Sequence, residues 1–181
     1  MKDEYSDIEL LERFQKGNKN YIFNLIVRKY QKPLYWHIRK MVIVHEDADD
    51  ILQDVFIKIW KSLINFRYDS KLYTWMYKIA TNETLTFLKK KRKKFFLNIV
   101  DVEKELSEKI EENFYDGDEI QLKLQKSILK LPEKQRLIFN MKYFDHMKYN
   151  EISKILGTSV GSLKASYHIA KKKIEVFLKN D

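Results

Sequence analysis

Apolar side chains recur along this chain at intervals of three and four residues, the repeat of an α-helix that lays one face on a core. Ser6 followed by Glu9 has capping-box spacing and opens a short amphipathic helix carrying Ile8, Leu11 and Phe14, which Gly17 stops. A second pattern starts near Asn20 with Ile22, Phe23, Ile26, Val27 and Tyr30. It meets Pro33, where a kink or break is expected, and resumes through Leu34, Tyr35 and Ile38. The clearest helix spans Asp47 to Leu63, where Ile51, Leu52, Val55, Phe56, Ile59, Trp60 and Leu63 form one stripe. After a polar turn around Arg67 to Ser70, another helix runs from about Lys71 into the block KKKRKK at Lys89 to Lys94. Four more are expected near 120–130, 133–144, 149–156 and 159–179, with Pro132 placed to begin the second of them. No stretch reads as a strand, so the fold class is all-α.

Composition divides this helical chain in two. From Asp101 to Glu119 the sequence turns acidic, holds Gly117 and keeps only a weak helical period. Residues 96–119 therefore read as a linker between two small helical domains, at 5–95 and 120–180, each with just enough apolar residues for a small core. The formal charge of +9 favours an anionic partner, through steering and counterion release; on charge alone that partner is a nucleic acid or a membrane surface. No run of about 18 apolar residues spans a bilayer, and the first residues lack the layout of a signal peptide, so a cytoplasmic protein with no membrane span is expected. The chain has no cysteine, and His37, His45, His146 and His168 are scattered without ligand spacing. No metal, cofactor or disulfide is expected.

Three constellations bear on function. In Tyr149 to Lys173, a short amphipathic helix (Glu151, Ile152, Ile155, Leu156) ends at Gly157, which supplies the positive backbone dihedral of a tight turn. Ser159 can cap the helix that follows, whose buried stripe is Val160, Leu163, Tyr167, Ala170 and Ile174. This is helix-turn-helix layout. It leaves Ser162, Lys164, Ala165, Ser166, His168, Ile169, Lys171 and Lys172 as a small, basic surface for a major groove. A plain helical hairpin with a solvated lysine face is the alternative, and the glycine turn, small residues and basic tail together favour DNA. The second constellation, Phe66 to Lys94, sets Phe66, Tyr68, Tyr73, Trp75 and Tyr77 among Arg67, Lys71 and Lys78, which suits unpaired bases and phosphates. Trp75 shares a face with Leu72, Met76, Ile79 and Ala80 and reads as core, while Tyr73, Tyr77 and Asn82 lie on or near the other face. The third, HEDADDILQD, explains itself as acid at the positive end of a helix dipole.

Together these stretches resemble the extracytoplasmic-function (ECF) sigma factors of the sigma-70 family, which keep the second and fourth sigma regions. HEDADDILQDVFIKIWKSL and YTWMYKIATNETLTFLKKKRKK resemble region two, and LPEKQRLIFNMKYFDHMKYNEISKILGTSVGSLKASYHIAKKKI resembles region four. The resemblance implies a region 2 bundle and a region 4 helix-turn-helix joined by the acidic linker. It implies that Asp50, Gln53, Asp54 and Phe56 dock on the clamp helices of the largest subunit of core RNA polymerase. By the same matching, Tyr68, Lys71, Lys78 and Asn82 engage the minus 10 element of promoter DNA, where one base is captured out of the stack as the duplex opens. Lys164, Ala165 and His168 face bases of the minus 35 element, with Ser162, Ser166 and Lys171 nearer phosphates. An anti-sigma factor as a masking partner, and a monomer when free, are further implications. Ala165, Ser166 and Ile169 depart from the Ser, Arg and Arg common in the family, which removes bidentate donors for guanine and points to A/T-rich or shape-based reading.

A conventional helix-turn-helix regulator that binds a palindromic operator as a dimer is the competing reading, and it gives the acidic face around Asp50 to Asp54 no role. A nucleic-acid-processing enzyme needs catalytic carboxylates or histidines in a site, and the sequence offers no nucleophile elbow, phosphate-binding glycine loop or acid-base pair.

Overall fold

The computed structural model describes residues 5–42, 44–95 and 119–180. Among the described residues are eight helices and no strand: α1 Asp7–Lys16, α2 Lys19–Val42, α3 His45–Leu63, α4 Leu72–Phe95, α5 Glu119–Leu129, α6 Glu133–Tyr143, α7 Tyr149–Leu156 and α8 Val160–Asn180. The all-α expectation holds. The stretch read as a linker, 96–119, lies outside the described residues but for Glu119.

Local chemistry sets the helix ends. The Ser6 hydroxyl accepts from the Glu9 amide at 3.3 Å while the Glu9 carboxylate accepts from the Ser6 amide at 2.8 Å, closing the capping box of α1. Asp7 then takes the Lys29 ammonium at 2.6 Å and the Tyr30 hydroxyl at 2.7 Å, fastening α1 to α2. Pro33 does not break α2, which runs continuously through it. Its missing N–H and ring clash cost about 3 kcal/mol in a helix interior. Burial of Ile26 and Tyr30 on one side and Leu34, Ile38 and Met41 on the other contributes roughly 1.5–3 kcal/mol for each side chain, so the core overrides the proline. Ion pairs from Lys58 to Glu83 at 2.6 Å and from Lys91 to Asp47 at 2.7 Å then tie α3 to α4.

One hydrophobic cluster begins with Leu10 and Phe14 of α1, passes through α2, Val55 and Ile59 of α3 and Met76 and Ala80 of α4, and continues into the second group of helices. There it takes in Leu137, Ile138 and Met141 of α6, Ile152 and Ile155 of α7 and Leu163 of α8. A second, smaller cluster joins Ile128, Leu131, Phe139, Ala170 and Ile174. Helix α6 is buried at every position from Arg136 to Met141 because it lies between the two. The two halves thus share a core, with α7 packed along α4 and α6 against α2.

Candidate nucleic-acid interface

The outward face of α3 follows from its period. Asp50, Gln53 and Asp54 are exposed at its start, and the same line of positions continues through Ile57 and Ile64, at 43% and 54% exposure. Among the described residues the side chains of Asp50, Gln53 and Asp54 have no hydrogen-bond or ion-pair partner. Phe56 stands apart: it is half-buried, edge-on to Phe23 at 6.3 Å, and contributes to the core. The apolar end of this face was not singled out from the sequence, although the seven-residue steps from Asp50 to Ile57 to Ile64 carry the signal.

Between α3 and α4 the backbone turns through Tyr68, which holds a left-handed φ of 62° that bulky residues seldom adopt. Its ring is exposed and packs on Phe66 at 5.3 Å. Its neighbours in the chain line a pocket of about 430 Å³, formed by Asn65, Phe66, Arg67, Asp69, Ser70 and Trp75 among others. An apolar wall of buried Phe66 and half-buried Trp75 beside amide, guanidinium, carboxylate and hydroxyl groups suits a flat heteroaromatic ring with polar edges. Trp75, read from the sequence as core, packs on Phe66 at 5.2 Å and also lines this pocket. Lys78 and Asn82 stand exposed on α4, and with Thr86 and Lys89 they form one ridge, at steps of four and three, that runs toward the basic end of the helix. Lys71 is exposed at the foot of α4. Tyr77 is not open to bases, being buried with its hydroxyl donating to the Pro33 carbonyl at 3.3 Å, and the half-buried Tyr73 packs on it at 4.3 Å. Burial pushes the Tyr73 hydroxyl up to about 12 and raises Tyr77 as well.

In the C-terminal half, Gly157 adopts φ 63° and ψ 27°, the left-handed turn expected there. The Ser159 hydroxyl accepts from the Ser162 amide at 3.3 Å and caps α8. Ile152, Ile155 and Leu163 are buried, which turns Ser162, Lys164, Ala165, His168 and Lys171 to solvent, with Ser166 half-buried beside them. Lys171 pairs only loosely with Glu175, at 3.8 Å one turn on.

A polar assembly that the sequence did not signal joins the two halves. Asp145, in the turn after α6, sits 2.9 Å from His37 Nδ1 and 2.5 Å from Lys40 Nζ, both on α2. His37 Nε2 lies 3.0 Å from the Thr81 hydroxyl of α4. Assigning the imidazole proton to Nδ1 lets His37 donate to Asp145 and accept from Thr81, which satisfies all three groups. Burial by itself would raise the Asp145 carboxyl, but its contacts with His37 and then Lys40 hold it below the ordinary carboxylate range. Hydroxyl, imidazole and carboxylate in this order resemble a hydrolytic triad. Thr81 and His37 are each 1% exposed, so no substrate reaches the hydroxyl, and the chain is a packing network. Nearby, the Asn140 amide donates to the Lys40 carbonyl at 3.3 Å, and Lys71 approaches Glu151 of α7 at 3.9 Å.

No helix among the described residues is long and apolar enough to cross a membrane. Comparison with known proteins agrees with this layout. The family model for Sigma-70 region 2 matches residues 26–94, and that for Sigma-70, region 4 matches residues 121–174. The RNA polymerase sigma-H factor of Pseudomonas aeruginosa is 30% identical, over 93% of this chain and 92% of its own length. The ECF RNA polymerase sigma-E factor of Escherichia coli (strain K12) is 30% identical over 97% of this chain and 95% of its own. Of solved structures, CnrH in complex with the cytosolic domain of CnrY shares the fold with a TM-score of 0.71, 22% identity and coverage of 97% and 98% of the two chains. The sigma factor RpoE in complex with the anti-sigma factor NepR from Bartonella quintana shares it with a TM-score of 0.68, 19% identity and coverage of 88% and 98%. With both regions matched in order and relatives alike along nearly the whole length, the chain belongs to the ECF sigma factors of the sigma-70 family.

Proposed function

We propose that this protein, an alternative sigma factor that binds core RNA polymerase and directs it to promoters, divides that work among three separate surfaces. The α3 face of Asp50, Gln53 and Asp54 docks on the polymerase, with Ile57 and Ile64 extending the contact and Phe56 holding the helix in place from behind. Acidic groups without partners stay hydrated until a basic surface arrives, so charge steers the encounter and the apolar end holds it. The loop at Tyr68 and Lys71 and the pocket behind it capture one base of the minus 10 element, while Lys78 and Asn82 meet the strand along the α4 ridge. Extruding a base costs a few kcal/mol, which stacking on an aromatic wall and polar contacts to its edge offset, so opening needs binding energy alone and no catalytic step. Lys164, Ala165 and His168 face the minus 35 bases, with Ser162, Ser166 and Lys171 at phosphates.

The domains follow these roles: residues 5–95 for polymerase and the minus 10 element, 120–180 for the minus 35 element, and 96–119 as the tether. The protein works in the cytoplasm, where polymerase and promoters are, and an anti-sigma factor covering the same faces holds it inactive. The observation that carries this reading is the α3 face, exposed and acidic on a chain of net charge +9, for which DNA binding alone has no use. Added to core polymerase, the protein is expected to give promoter-dependent run-off transcription. Asp50→Arg lowers core affinity at least tenfold, about 1.4 kcal/mol or more, without loss of helicity. Full core affinity in that variant rejects the assignment.

A further inference from the structure

From Ser162 to Lys172, α8 exposes one large apolar side chain, Ile169, which leaves 45% of its surface open to water. The roles assigned above give it no contact. We infer that Ile169 reads the C5-methyl group of a thymine in the minus 35 element and so sets the base preference at that position. This rests on the assignment of α8 to the minus 35 element and names what the helix recognises there.

Geometry is the first argument. The buried stripe of Leu163, Ala170 and Ile174 turns the opposite side of α8 outward, and there Ile169 follows Ala165 at a step of four. Around the helix it falls between the line of Ala165, which faces bases, and that of Ser162, which meets phosphates. The cations keep to the other side of this face. Lys164, His168 and Lys171 succeed one another at steps of four and three, and Lys164 lies over the Tyr149 ring at 6.0 Å. The outward face of α8 is thus divided lengthwise into a basic edge and an edge of small and apolar side chains. Val176, the next exposed apolar residue along the helix, lies about 10 Å further on with Lys172 between them. Ile169 therefore stands alone among polar and small groups, too little apolar surface for a protein partner to hold.

Chemistry is the second argument. In the major groove the bases present hydrogen-bonding groups, and thymine alone adds a methyl group. An isoleucine set against guanine O6 and N7, against the amino group of cytosine or adenine, or against a phosphate displaces water and supplies no partner in return. Set against the thymine methyl, it removes apolar surface of both groups from water. The short side chains of Ser162, Ala165 and Ser166 on the same side of α8 leave room for the helix to approach the groove closely enough for that contact.

The test uses holoenzyme assembled from core polymerase and the full-length protein. Promoter fragments randomised over about ten base pairs around the minus 35 element, roughly one turn of DNA, are selected for binding, and the selected sequences are expected to share a thymine. Each thymine of that element is then replaced in turn by deoxyuridine, which lacks only the methyl group. At one position the wild-type affinity is expected to fall about fourfold, about 0.8 kcal/mol for one methyl group. With cytosine placed at that position, 5-methylcytosine is expected to restore part of the loss. Ile169→Ala, a change at an exposed site that keeps native helicity, is expected to bind the thymine and deoxyuridine fragments equally. Ile169→Arg is expected to move the preference there from thymine to guanine. Wild-type binding that ignores the methyl group at every position overturns the proposal, as does a methyl effect that Ile169→Ala keeps in full. Lys164→Ala separates this failure from a failure of the minus 35 assignment. If that variant binds the selected fragment as well as wild type, α8 does not read the element and both fall; if it binds more weakly while the methyl effect is missing, the reading by Ile169 alone falls.

Discussion

The two halves of the molecule bury their apolar residues in different ways. In the N-terminal half, α1 to α4 enclose a single cluster, cross-braced by edge-on contacts of Trp60 with Phe14 at 5.9 Å and Phe23 at 4.9 Å. In the C-terminal half the apolar residues are split by α6. Leu137, Ile138 and Met141 join the large cluster, while Phe139 turns to a small one of its own with Ile128, Leu131, Ala170 and Ile174. The half that presents the recognition helix therefore has two cores, one shared and one private. The private core keeps α5, α6 and α8 together, while the shared one ties α6, α7 and α8 to the N-terminal helices.

Substitutions in the two clusters test this contrast. All three tryptophans, Trp36, Trp60 and Trp75, lie in the N-terminal half, so tryptophan fluorescence follows that half and circular dichroism follows both. Ile59, fully buried in the shared cluster, is expected to cost about 3–4 kcal/mol when changed to alanine, and the urea midpoints of both signals fall together. A shift in fluorescence alone would contradict a shared core. Ile174→Ala, in the private cluster, is expected to cost about 2–3 kcal/mol and to lower the circular-dichroism midpoint first, leaving the fluorescence transition near its wild-type place.

Smaller effects sharpen the picture. Gly157 holds φ 63° with open space around its Cα, so an added methyl meets nothing and Gly157→Ala isolates the backbone cost of the left-handed turn, roughly 1–2 kcal/mol. Thermal unfolding checks it, and a neutral or stabilising result would show that the turn does not need glycine. Acid is the mildest probe. Asp145 is held below the ordinary carboxylate value, so it stabilises the folded protein at any pH above about 3.9 and loses that contribution as the pH falls through its lower native value. His37 and Lys40 of α2 and Tyr73 and Tyr77 of α4 face it, with Glu151 of α7 near Tyr73. The stability difference between wild type and Asp145→Asn is therefore expected to be constant above pH 5 and to narrow toward pH 3. A difference that does not change with pH would remove the carboxylate from its network with His37 and Lys40.

Much of the fold, and one of the three surfaces, could be read from the residues in order. The capping box at Ser6, the left-handed turn at Gly157 and the cap at Ser159 involve groups within a few positions of one another, so local spacing determines them. The exposed line of α8 follows from the period of its buried stripe in the same way. Pro33 shows where local reasoning stops, because its penalty is overridden by side chains that α1, α3 and α4 bring to the same helix. The pocket between α3 and α4 needed the chain to turn back at Tyr68, which set Trp75 of α4 against Phe66 of the loop. His37 and Asp145 are 108 positions apart, and His37 and Thr81 are 44 apart. No periodicity links residues at such distances, since their meeting depends on how α2, α4 and α6 pack. The sequence alone determined the helices, the helix-turn-helix and the residues it turns to solvent, because those rest on contacts within one or two turns. Only the tertiary structure decided that Tyr77 is covered, that the halves share a core and that the Asp145 carboxylate meets His37 and Lys40 of α2, because burial is set by neighbours far away in the chain.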